Sequence, residues 1–345
     1  MKRRRFVGML GALPFAAEAM LTARGATAEQ AAQAGAAVAS PFPVIDTHIH
    51  IFDKTRRGTP YPATMAAGGE PPQGYIALPN RYKLVVSPFG VVGAVIVEAS
   101  DRLEDNFWLL DVAKEHPIIV GLVGNLNPTD STFARNLEKL VRNKLFFGIR
   151  PRAAFGGGGL LKGLDQPELM ANLKRLADAD CSVDTDTPSM GATAPEALVR
   201  LLDKIPSLRL VMDHLPGLTY RLKEFGDKAA MSNYVRHLQE LGKRPNVYIK
   251  LSEVVRPVNG KVSTDLATYK DWLDQLWSIF GDDRIVFGSD WPQSESLEFN
   301  SYPNLIKVAR DYVASKSPAA MEKVFWKNSA KAYRWVQRDA SQRKA

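Results

Sequence analysis

Two of the five histidines in the chain, His48 and His50, are separated by a single residue in the apolar segment Val44–Phe52. Side chains two positions apart on a β-strand point to the same face, so we expect both imidazoles to be directed toward one point. Burying two polar rings on a strand costs free energy unless the rings have partners. Paired imidazoles suit metal binding, polarisation of a carbonyl group or proton transfer.

Other polar side chains occur near the ends of further apolar segments. In three of these segments two such side chains are separated by one residue, which again places them on one face of a strand. Arg150 and Arg152 could bind a carboxylate, or they could pair with Asp184 or Asp186, and the sequence leaves both possibilities open. The candidate set consists of Glu98, Arg150, Arg152, Asp184, Asp186, His214, Lys250, Ser252, Arg256 and Asp290.

The elements that position these residues alternate along the chain between short β-branched runs and amphipathic helical patterns. This alternation predicts βαβ units and therefore an α/β fold with a parallel sheet. Eight units favour a single-domain (β/α)8 TIM barrel, whose chemistry lies at the carboxyl ends of the strands. An open doubly wound sheet is the alternative, although no glycine-rich phosphate-binding pattern follows the first run. The predicted strands are Val44–Ile51, Val91–Glu98, Ile118–Gly124, Phe146–Pro151, Ser182–Asp186, Arg209–His214, Val247–Ser252 and Ile285–Ser289.

Helical periodicity fills the intervals between these strands. Two glycine- or proline-rich segments, 54–79 and 156–159, follow predicted strands, and we expect them to form loops over the site. The predicted helices are Thr129–Asn143, a helix that begins at Asp165 and Pro167, Pro195–Lys204, Lys223–Leu241 and Tyr269–Phe280.

The N-terminal segment has the features of an export signal. A basic cluster, Lys2–Arg5, precedes an apolar stretch and then small residues suited to cleavage at Ala26–Ala28. The adjacent arginines favour the twin-arginine export machinery and a periplasmic or exported location, with a general secretory signal or an amphipathic anchor as alternatives. The apolar stretch is short and interrupted, so we expect no stable membrane span. The predicted organisation is a signal peptide over 1–28, a flexible linker over 29–42, the barrel over 43–338 and a basic tail over 339–345.

The formal net charge of +8 does not indicate nucleic-acid binding. About half of the excess lies within residues 1–28, which hold five basic residues and one acidic residue. The remaining excess is mild and forms no basic and aromatic stripe, although it is compatible with attraction of an anionic small molecule. The single cysteine, Cys181, rules out an intramolecular disulfide and argues against a thiolate metal site.

Four short motifs resemble, in order and spacing, the amidohydrolase superfamily and within it the amidohydrolase-2 branch of lactonases. The motifs are Asp46–His50, Gly148–Arg150, Asp213–Gly217 and Gly288–Pro292, and they extend over nearly all of residues 43–335. The resemblance implies a (β/α)8 barrel with a hydrolytic site at its C-terminal face. The relatives it suggests are lactonases acting on 2-pyrone-4,6-dicarboxylate and on aldonolactones, and hence a lactone substrate that bears a carboxylate.

The chain departs from the metal-dependent members of this superfamily at two strands. Those members carry a histidine on the fifth strand and a metal-bridging lysine or glutamate on the fourth, where this chain has aspartates and arginines. We therefore expect no two-metal site and no required cofactor. A single Zn²⁺ held by His48, His50, His214 or Asp290 is the alternative, since three protein ligands and a water form a catalytic zinc site.

For lactone hydrolysis we predict that Asp290 acts as general base on water, which requires an ionised carboxylate. The catalytic histidines His48, His50 and His214 would polarise the lactone carbonyl and stabilise the oxyanion. Two alternatives are a Zn-dependent non-oxidative decarboxylase on the same barrel and an exported barrel that binds a carboxylate without turnover. The residues predicted to bind the substrate are Arg150, Arg152, Arg256, Ser252 and Asp186.

Overall fold

The computed structural model describes residues 42–56, 76–216, 228–256, 262–293 and 301–343. Eight parallel strands form one sheet whose order follows the chain, and a short antiparallel pair lies beside it. Backbone hydrogen bonds from Asp290 to the His48 carbonyl and from His50 to the Trp291 carbonyl join the two ends of this sheet. The result is a nearly closed α/β barrel, which fits the predicted fold. The strands are β1 (Val44–Ile49), β2 (Phe52–Asp53), β3 (Ile76–Ala77), β4 (Val91–Val97), β5 (Ile119–Gly124), β6 (Phe146–Ile149), β7 (Ser182–Thr185), β8 (Arg209–Met212), β9 (Val247–Leu251) and β10 (Ile285–Phe287); β2 pairs with β3.

Nearly every residue of the eight barrel strands is buried. Strands that are covered by helices on one face and by the barrel interior on the other need apolar side chains on both faces, which explains the continuous β-branched runs. Seven of the eight predicted strands extend one or two residues beyond the observed ends. Past the end of β10, Ser289 donates its backbone N–H to the Asp46 carboxylate at 2.8 Å and not to the backbone of a neighbouring strand.

Helices surround the barrel, and each predicted helix is present where the structure describes it; residues 223–227 of the predicted helix Lys223–Leu241 lie outside the described residues. The first predicted helix begins later than expected, at Phe133, because the Asp130 carboxylate accepts the backbone N–H of Thr132 and holds the preceding turn. None of the described helices combines the length and apolar character needed to cross a membrane. The helices are α1 (Pro79–Val86), α2 (Leu103–Glu115), α3 (Phe133–Val141), α4 (Arg152–Phe155), α5 (Gly159–Gly163), α6 (Pro167–Asp178), α7 (Thr187–Met190), α8 (Ala194–Lys204), α9 (Lys228–Gly242), α10 (Lys270–Phe280), α11 (Tyr302–Ala314), α12 (Pro318–Glu322) and α13 (Asn328–Tyr333).

The two segments expected to form loops over the site have different outcomes. Most of segment 54–79 lies outside the described residues. The four glycines 156–159 do not form an open loop, because they join α4 and α5 through a short 3-10 turn. Gly157 and Gly158 adopt φ angles of 58° and 78°, a left-handed conformation that glycine adopts without steric cost.

The C-terminal segment forms the floor of the barrel. Tyr333 and Trp335 pack with barrel-facing residues such as Ile45 and Val286 in one buried cluster. Further along, Gln342 is buried and its side chain donates hydrogen bonds to backbone carbonyls at the start of β4 and before β5. The predicted tail, 339–345, therefore packs against the barrel as far as the structure describes it.

Candidate active site

The four residues predicted to be catalytic come together at the carboxyl ends of the strands. The Nε2 atoms of His48 and His50 lie 3.3 Å apart, and Asp290 Oδ1 lies 3.4 Å and 3.0 Å from them, respectively. The ring of His214 lies beside that of His48, with centroids 4.6 Å apart. All four side chains are buried. The shared direction of His48 and His50, inferred from their spacing, is thus present, although β1 ends at Ile49 and His50 follows it.

Two of these residues adopt a backbone conformation that is uncommon outside glycine. His214 and Asp290 have φ angles of 57° and 59°. Such strain persists only where surrounding contacts hold it, and it concentrates at functional sites. The backbone N–H of Asp290 is held by the His48 carbonyl at 2.8 Å, and that of His214 by Ser252 Oγ at 3.2 Å. A side chain at Gly288 would place its Cβ 2.8 Å from the Cβ of His48, so glycine is required for this approach.

The Asp46 carboxylate links β1 by hydrogen bonds to the residues that follow β10. Its Oδ1 accepts the backbone N–H groups of His48 and Ser289, and its Oδ2 accepts the hydroxyls of Tyr82 and Tyr302. Burial raises the pKa of Asp46 to about 6, although the hydrogen bonds from Ser289 oppose that rise. This carboxyl group therefore sets the relative position of the two catalytic segments.

The contacts of His50 require a proton or a cation between its Nε2 atom and Asp290. Its Nδ1 lies 3.0 Å from the Val97 carbonyl, which can only accept, so Nδ1 carries a hydrogen. In the neutral ring the Nε2 atom is then an acceptor, yet it faces Asp290 Oδ1 at 3.0 Å. Two acceptors at this distance repel each other unless a proton or a cation lies between them. The site is thus built to hold one or the other.

Burial is the largest single influence on the pKa values of the other catalytic groups, although for Asp290 other influences outweigh it. It lowers the pKa of His48 well below the usual value, and the charge of Lys250 lowers it further. Burial also lowers the pKa of His214 to about 4. For Asp290 burial would raise the pKa, but the charge of His214 and the hydrogen bond with His50 hold it below its usual range. At neutral pH the Asp290 carboxylate is therefore ionised.

The donor atoms of this cluster fit one divalent cation. His48, His214 and Asp290 each offer a ligand atom, and these three atoms lie within 4.8 Å of one another. The His48, His50 and Asp290 atoms are closer, at 3.0–3.4 Å. Zn–N bonds of about 2.0–2.1 Å place the ligands of a tetrahedral ion about 3.3–3.4 Å apart. The single-Zn²⁺ alternative is therefore sterically feasible with the side chains as they stand.

Beneath the histidines, Arg150 is buried and paired with carboxylates. Its Nε donates to Glu98 at 2.8 Å, and its Nη1 donates to Asp213 at 3.1 Å and lies 3.4 Å from His48 Nε2. Of the two possibilities left by the sequence, pairing is observed, although the partners are Glu98 and Asp213 and not Asp184 or Asp186. Substrate binding by Arg150 stays a prediction.

Lys250 occupies the barrel axis below Arg150. Its ammonium lies 2.8 Å from Asp184 Oδ2 and 2.9 Å from Asp213 Oδ1, and all three side chains are inaccessible to solvent. Asp184 also accepts the Tyr333 hydroxyl at 2.6 Å. Lys250 therefore lies in the barrel interior, and its two carboxylate partners offset the cost of burying its ammonium group.

The remaining predicted substrate-binding residues lie around the mouth of the site. Ser252 Oγ lies 3.2 Å from His214 Nδ1, and Arg256 forms an ion pair with Glu253. Arg152 is different, because 54% of its side chain is exposed and its carboxylate neighbours, Asp186 and Glu98, lie 3.9 and 4.0 Å away. Those distances are too long for hydrogen bonds, so the Arg152 guanidinium faces the mouth with donors to offer.

Sequence reasoning gave no role to three residues that organise the site. Asp46 and Asp213 were visible only as members of motifs, and nothing in their local pattern indicates that one ties strands together and the other pairs with Arg150 and Lys250. Tyr333 carries no signal at all, because it is 46 residues beyond the end of the last strand, Ile285–Phe287. Only the closed barrel brings its hydroxyl to Asp184.

Comparison with known proteins identifies the family. A family model described as amidohydrolase matches residues 45–335, most of the chain. The chain belongs to the amidohydrolase family. Its match to curated lactonases supports the lactonase branch that the motifs resemble and shows it to be a hydrolase.

The similar proteins cover most of this amidohydrolase. The L-fucono-1,5-lactonase of Burkholderia ambifaria is 26% identical over 263 residues, 72% of this chain and 80% of that protein. An amidohydrolase from Burkholderia multivorans with bound zinc has a TM-score of 0.71 at 21% identity, over 85% of this chain and 100% of its own. A probable 2-pyrone-4,6-dicarboxylic acid hydrolase from Acinetobacter baumannii, with citric acid bound, has a TM-score of 0.62 at 20% identity, over 85% of this chain and 99% of its own. The two structural likenesses show the shared fold.

Proposed function

We propose that this amidohydrolase opens a lactone ring by hydrolysis at the mouth of its barrel. The observation that carries the proposal is the contact of Asp290 Oδ1 with the Nε2 atoms of His48 and His50, beside the ring of His214. Ester hydrolysis needs a base for the attacking water and positive or hydrogen-bonding groups near the carbonyl oxygen. Both kinds of group converge here, and the lactonase relative supports this reaction class.

Asp290 is the group we assign to the water. Its Oδ1 faces the histidines, while no hydrogen bond from the described part of the chain engages Oδ2. Oδ2 can therefore accept a proton from a water molecule that enters from the mouth. His214 lies across the site, where its neutral ring can donate a hydrogen bond to the carbonyl oxygen as negative charge develops.

We further propose that one divalent cation binds between His48, His50 and Asp290. The donor spacing and the facing acceptors of His50 and Asp290 support this alternative over a site without metal, and a neighbouring structure holds zinc. Bound there, a cation would polarise an ester carbonyl and offset negative charge. Asp213 lies 3.5 Å from His48 Nδ1, as expected for a carboxylate that orients a ligating histidine.

The charge of the site favours a lactone with few negative charges of its own. In the described part of the site, six carboxylates face four cationic side chains. One bound divalent cation would only bring these charges to balance, so no positive surplus is left to hold a dianionic substrate. We propose an uncharged lactone, or one with a single carboxylate that Arg152 holds. The carboxylates are Glu98, Asp184, Asp186, Asp213, Glu253 and Asp290, and the cations are Arg150, Arg152, Lys250 and Arg256.

The test is turnover of three lactones by the full chain: L-fucono-1,5-lactone, a lactone with one carboxylate, and 2-pyrone-4,6-dicarboxylate. Each is assayed with purified, chelator-treated and zinc-reconstituted enzyme. We expect hydrolysis of the first or second lactone and loss of activity on chelation. Turnover of the dianion alone would contradict the charge argument. Full activity without metal would support the prediction that no cofactor is required. Release of CO2 without ring opening would establish the decarboxylase alternative, and binding without turnover the non-catalytic one.

We also propose that the enzyme acts in the periplasm or outside the cell. The support is the sequence of residues 1–28, which lie outside the described range, as does nearly all of the predicted linker. Fractionation of cells that express the full chain, with N-terminal sequencing of the product, tests the signal and its cleavage. A mature protein that begins near Glu29 in the periplasm is the expected result, and an uncleaved cytoplasmic protein would contradict it.

A further inference from the structure

A chain of buried polar contacts leads from the barrel floor to the catalytic histidines. It begins at Tyr333, the last residue of α13, whose hydroxyl donates to Asp184 Oδ2 at 2.6 Å. Asp184 accepts from Lys250 at 2.8 Å, and Lys250 lies 2.9 Å from Asp213. Asp213 in turn lies 3.5 Å from His48 Nδ1. These four residues are buried, and we call them the axial chain: Tyr333, Asp184, Lys250 and Asp213.

The axial chain closes on His48 from two sides. Asp213 can accept a hydrogen from Nδ1, while Lys250, 3.3 Å from the same atom, can donate one. The Nδ1 edge of the ring therefore has a partner whichever nitrogen carries the hydrogen. With that edge held, Nε2 is directed to His50 and Asp290, where the chemistry occurs.

Each residue of the axial chain is held in position by its contacts with the residue below it. The Lys250 ammonium donates to Asp184 at 2.8 Å and lies 2.9 Å from Asp213 Oδ1 and 3.3 Å from His48 Nδ1, so it has close contacts with three groups. The Asp184 carboxylate is held by Ser182 at Oδ1 and by Tyr333 and Lys250 at Oδ2. Without the tyrosine hydroxyl, Oδ2 keeps a single partner, and Lys250 is free to follow Asp184 away from Asp213.

We propose that Tyr333, Asp184 and Lys250 are positioning residues for the catalytic histidine His48, so that the C-terminal helix of the barrel floor controls turnover. The proposal rests on the proposed lactone hydrolysis for its kinetic consequence. None of the three side chains reaches the mouth, since all are buried at the axis. Their loss should therefore act on kcat and leave the KM of the lactone unchanged.

The test compares Tyr333→Phe with Tyr312→Phe. Tyr312 is an equally buried tyrosine on α11 whose hydroxyl also donates to a carboxylate, Asp274 at 3.1 Å, but outside the barrel. Both variants lose one tyrosine–carboxylate hydrogen bond. Because Asp184 is fully buried and Asp274 is one-third exposed, urea unfolding of each variant separates an effect on stability from an effect on kcat. We expect Tyr333→Phe to lower kcat about tenfold, the scale set by a hydrogen bond to a buried charge, with KM within about twofold. Tyr312→Phe should leave both constants unchanged.

A second measurement does not depend on the reaction. In protein labelled with ¹⁵N-histidine, the ring nitrogen signals of His48 should shift or broaden in Tyr333→Phe and stay unchanged in Tyr312→Phe. The Tyr333→Phe effect on kcat should also disappear in an Asp184→Asn background, because the link is already broken there. Unchanged kcat and unchanged His48 signals in Tyr333→Phe, or equal losses in both variants, would overturn the proposal. If the wild-type chain hydrolyses no lactone, the proposed function fails, and the ring signals still decide on the axial chain.

Discussion

The substitution Asp290→Asn should remove activity without loss of stability. Asparagine keeps the shape of the side chain and adopts a left-handed backbone at least as readily as aspartate, so the φ of 59° remains acceptable. The charges of His214 and His48, which lower the pKa of Asp290, are absent at pH 7 because the pKa values of both rings are themselves lowered. We therefore expect the free energy of unfolding at pH 7 to change by less than about 1 kcal/mol. Loss of a positioned base should lower kcat by about 10²–10⁴-fold.

A matched variant, Asp274→Asn, should lose stability and keep its activity. Asp274 lies on α10, outside the barrel, where Lys270, Lys316 and Tyr312 donate to it and lower its pKa from 3.8 to about 2. A shift of nearly two units corresponds to about 2.4 kcal/mol, which solvent screening of a side chain one-third exposed reduces to about 1 kcal/mol. Because the folded-state pKa is lowered, this stabilisation is present above pH 3.8 and is lost as the pH falls through about 2.

Urea unfolding at pH 7, followed by circular dichroism, and lactone turnover measured on the same preparations provide the two readouts. If Asp290→Asn retains kcat within about threefold, Asp290 is not the base. If Asp290→Asn loses stability together with activity, its inactivity does not identify a catalytic role either. Asp274→Asn should not lose both. At pH below 2 the stability difference between wild type and Asp274→Asn should vanish.

Three further predictions follow from other parts of the chain. Arg152→Ala should raise the KM of a singly charged lactone about tenfold or more and leave an uncharged lactone unaffected, as steady-state kinetics on both would show; equal effects would remove Arg152 as the carboxylate anchor. Cys181 is buried, which raises the pKa of its thiol to about 12. Iodoacetamide at pH 8 should therefore alkylate the native protein about 100-fold more slowly than the urea-unfolded chain, and comparable rates would contradict that burial. Replacement of Arg4 and Arg5 by lysine should leave the uncleaved precursor in the cytoplasm of the expressing cell, whereas normal export would favour the general secretory route.

The strands could be predicted from sequence because a buried parallel strand requires a continuous apolar run, and such runs are conspicuous. The same logic located the active site, since polar residues that follow these runs must meet at the carboxyl face of the barrel. His48 and His50 needed only the two-residue period of a strand, and their Nε2 atoms indeed lie 3.3 Å apart.

Pairing between distant polar residues could not be predicted in the same way. Arg150 was expected to bind a substrate or an aspartate of the fifth strand, but its partners Glu98 and Asp213 come from other strands. Which carboxylate meets which cation depends on the stagger and closure of the barrel, and no local pattern encodes those. The role of Tyr333 was invisible for the same reason, because its helix reaches the axis from below.

We propose above all that the His48, His50 and Asp290 cluster hydrolyses a lactone with one bound cation. Ring opening of L-fucono-1,5-lactone, followed by proton release, tests this as metal-free enzyme is titrated with Zn²⁺. Activity should rise with added zinc and reach a plateau at one ion per chain, and Asp290→Asn should stay inactive throughout. Ring opening that is already maximal before zinc is added, or equally fast in Asp290→Asn, would exclude this role of the cluster.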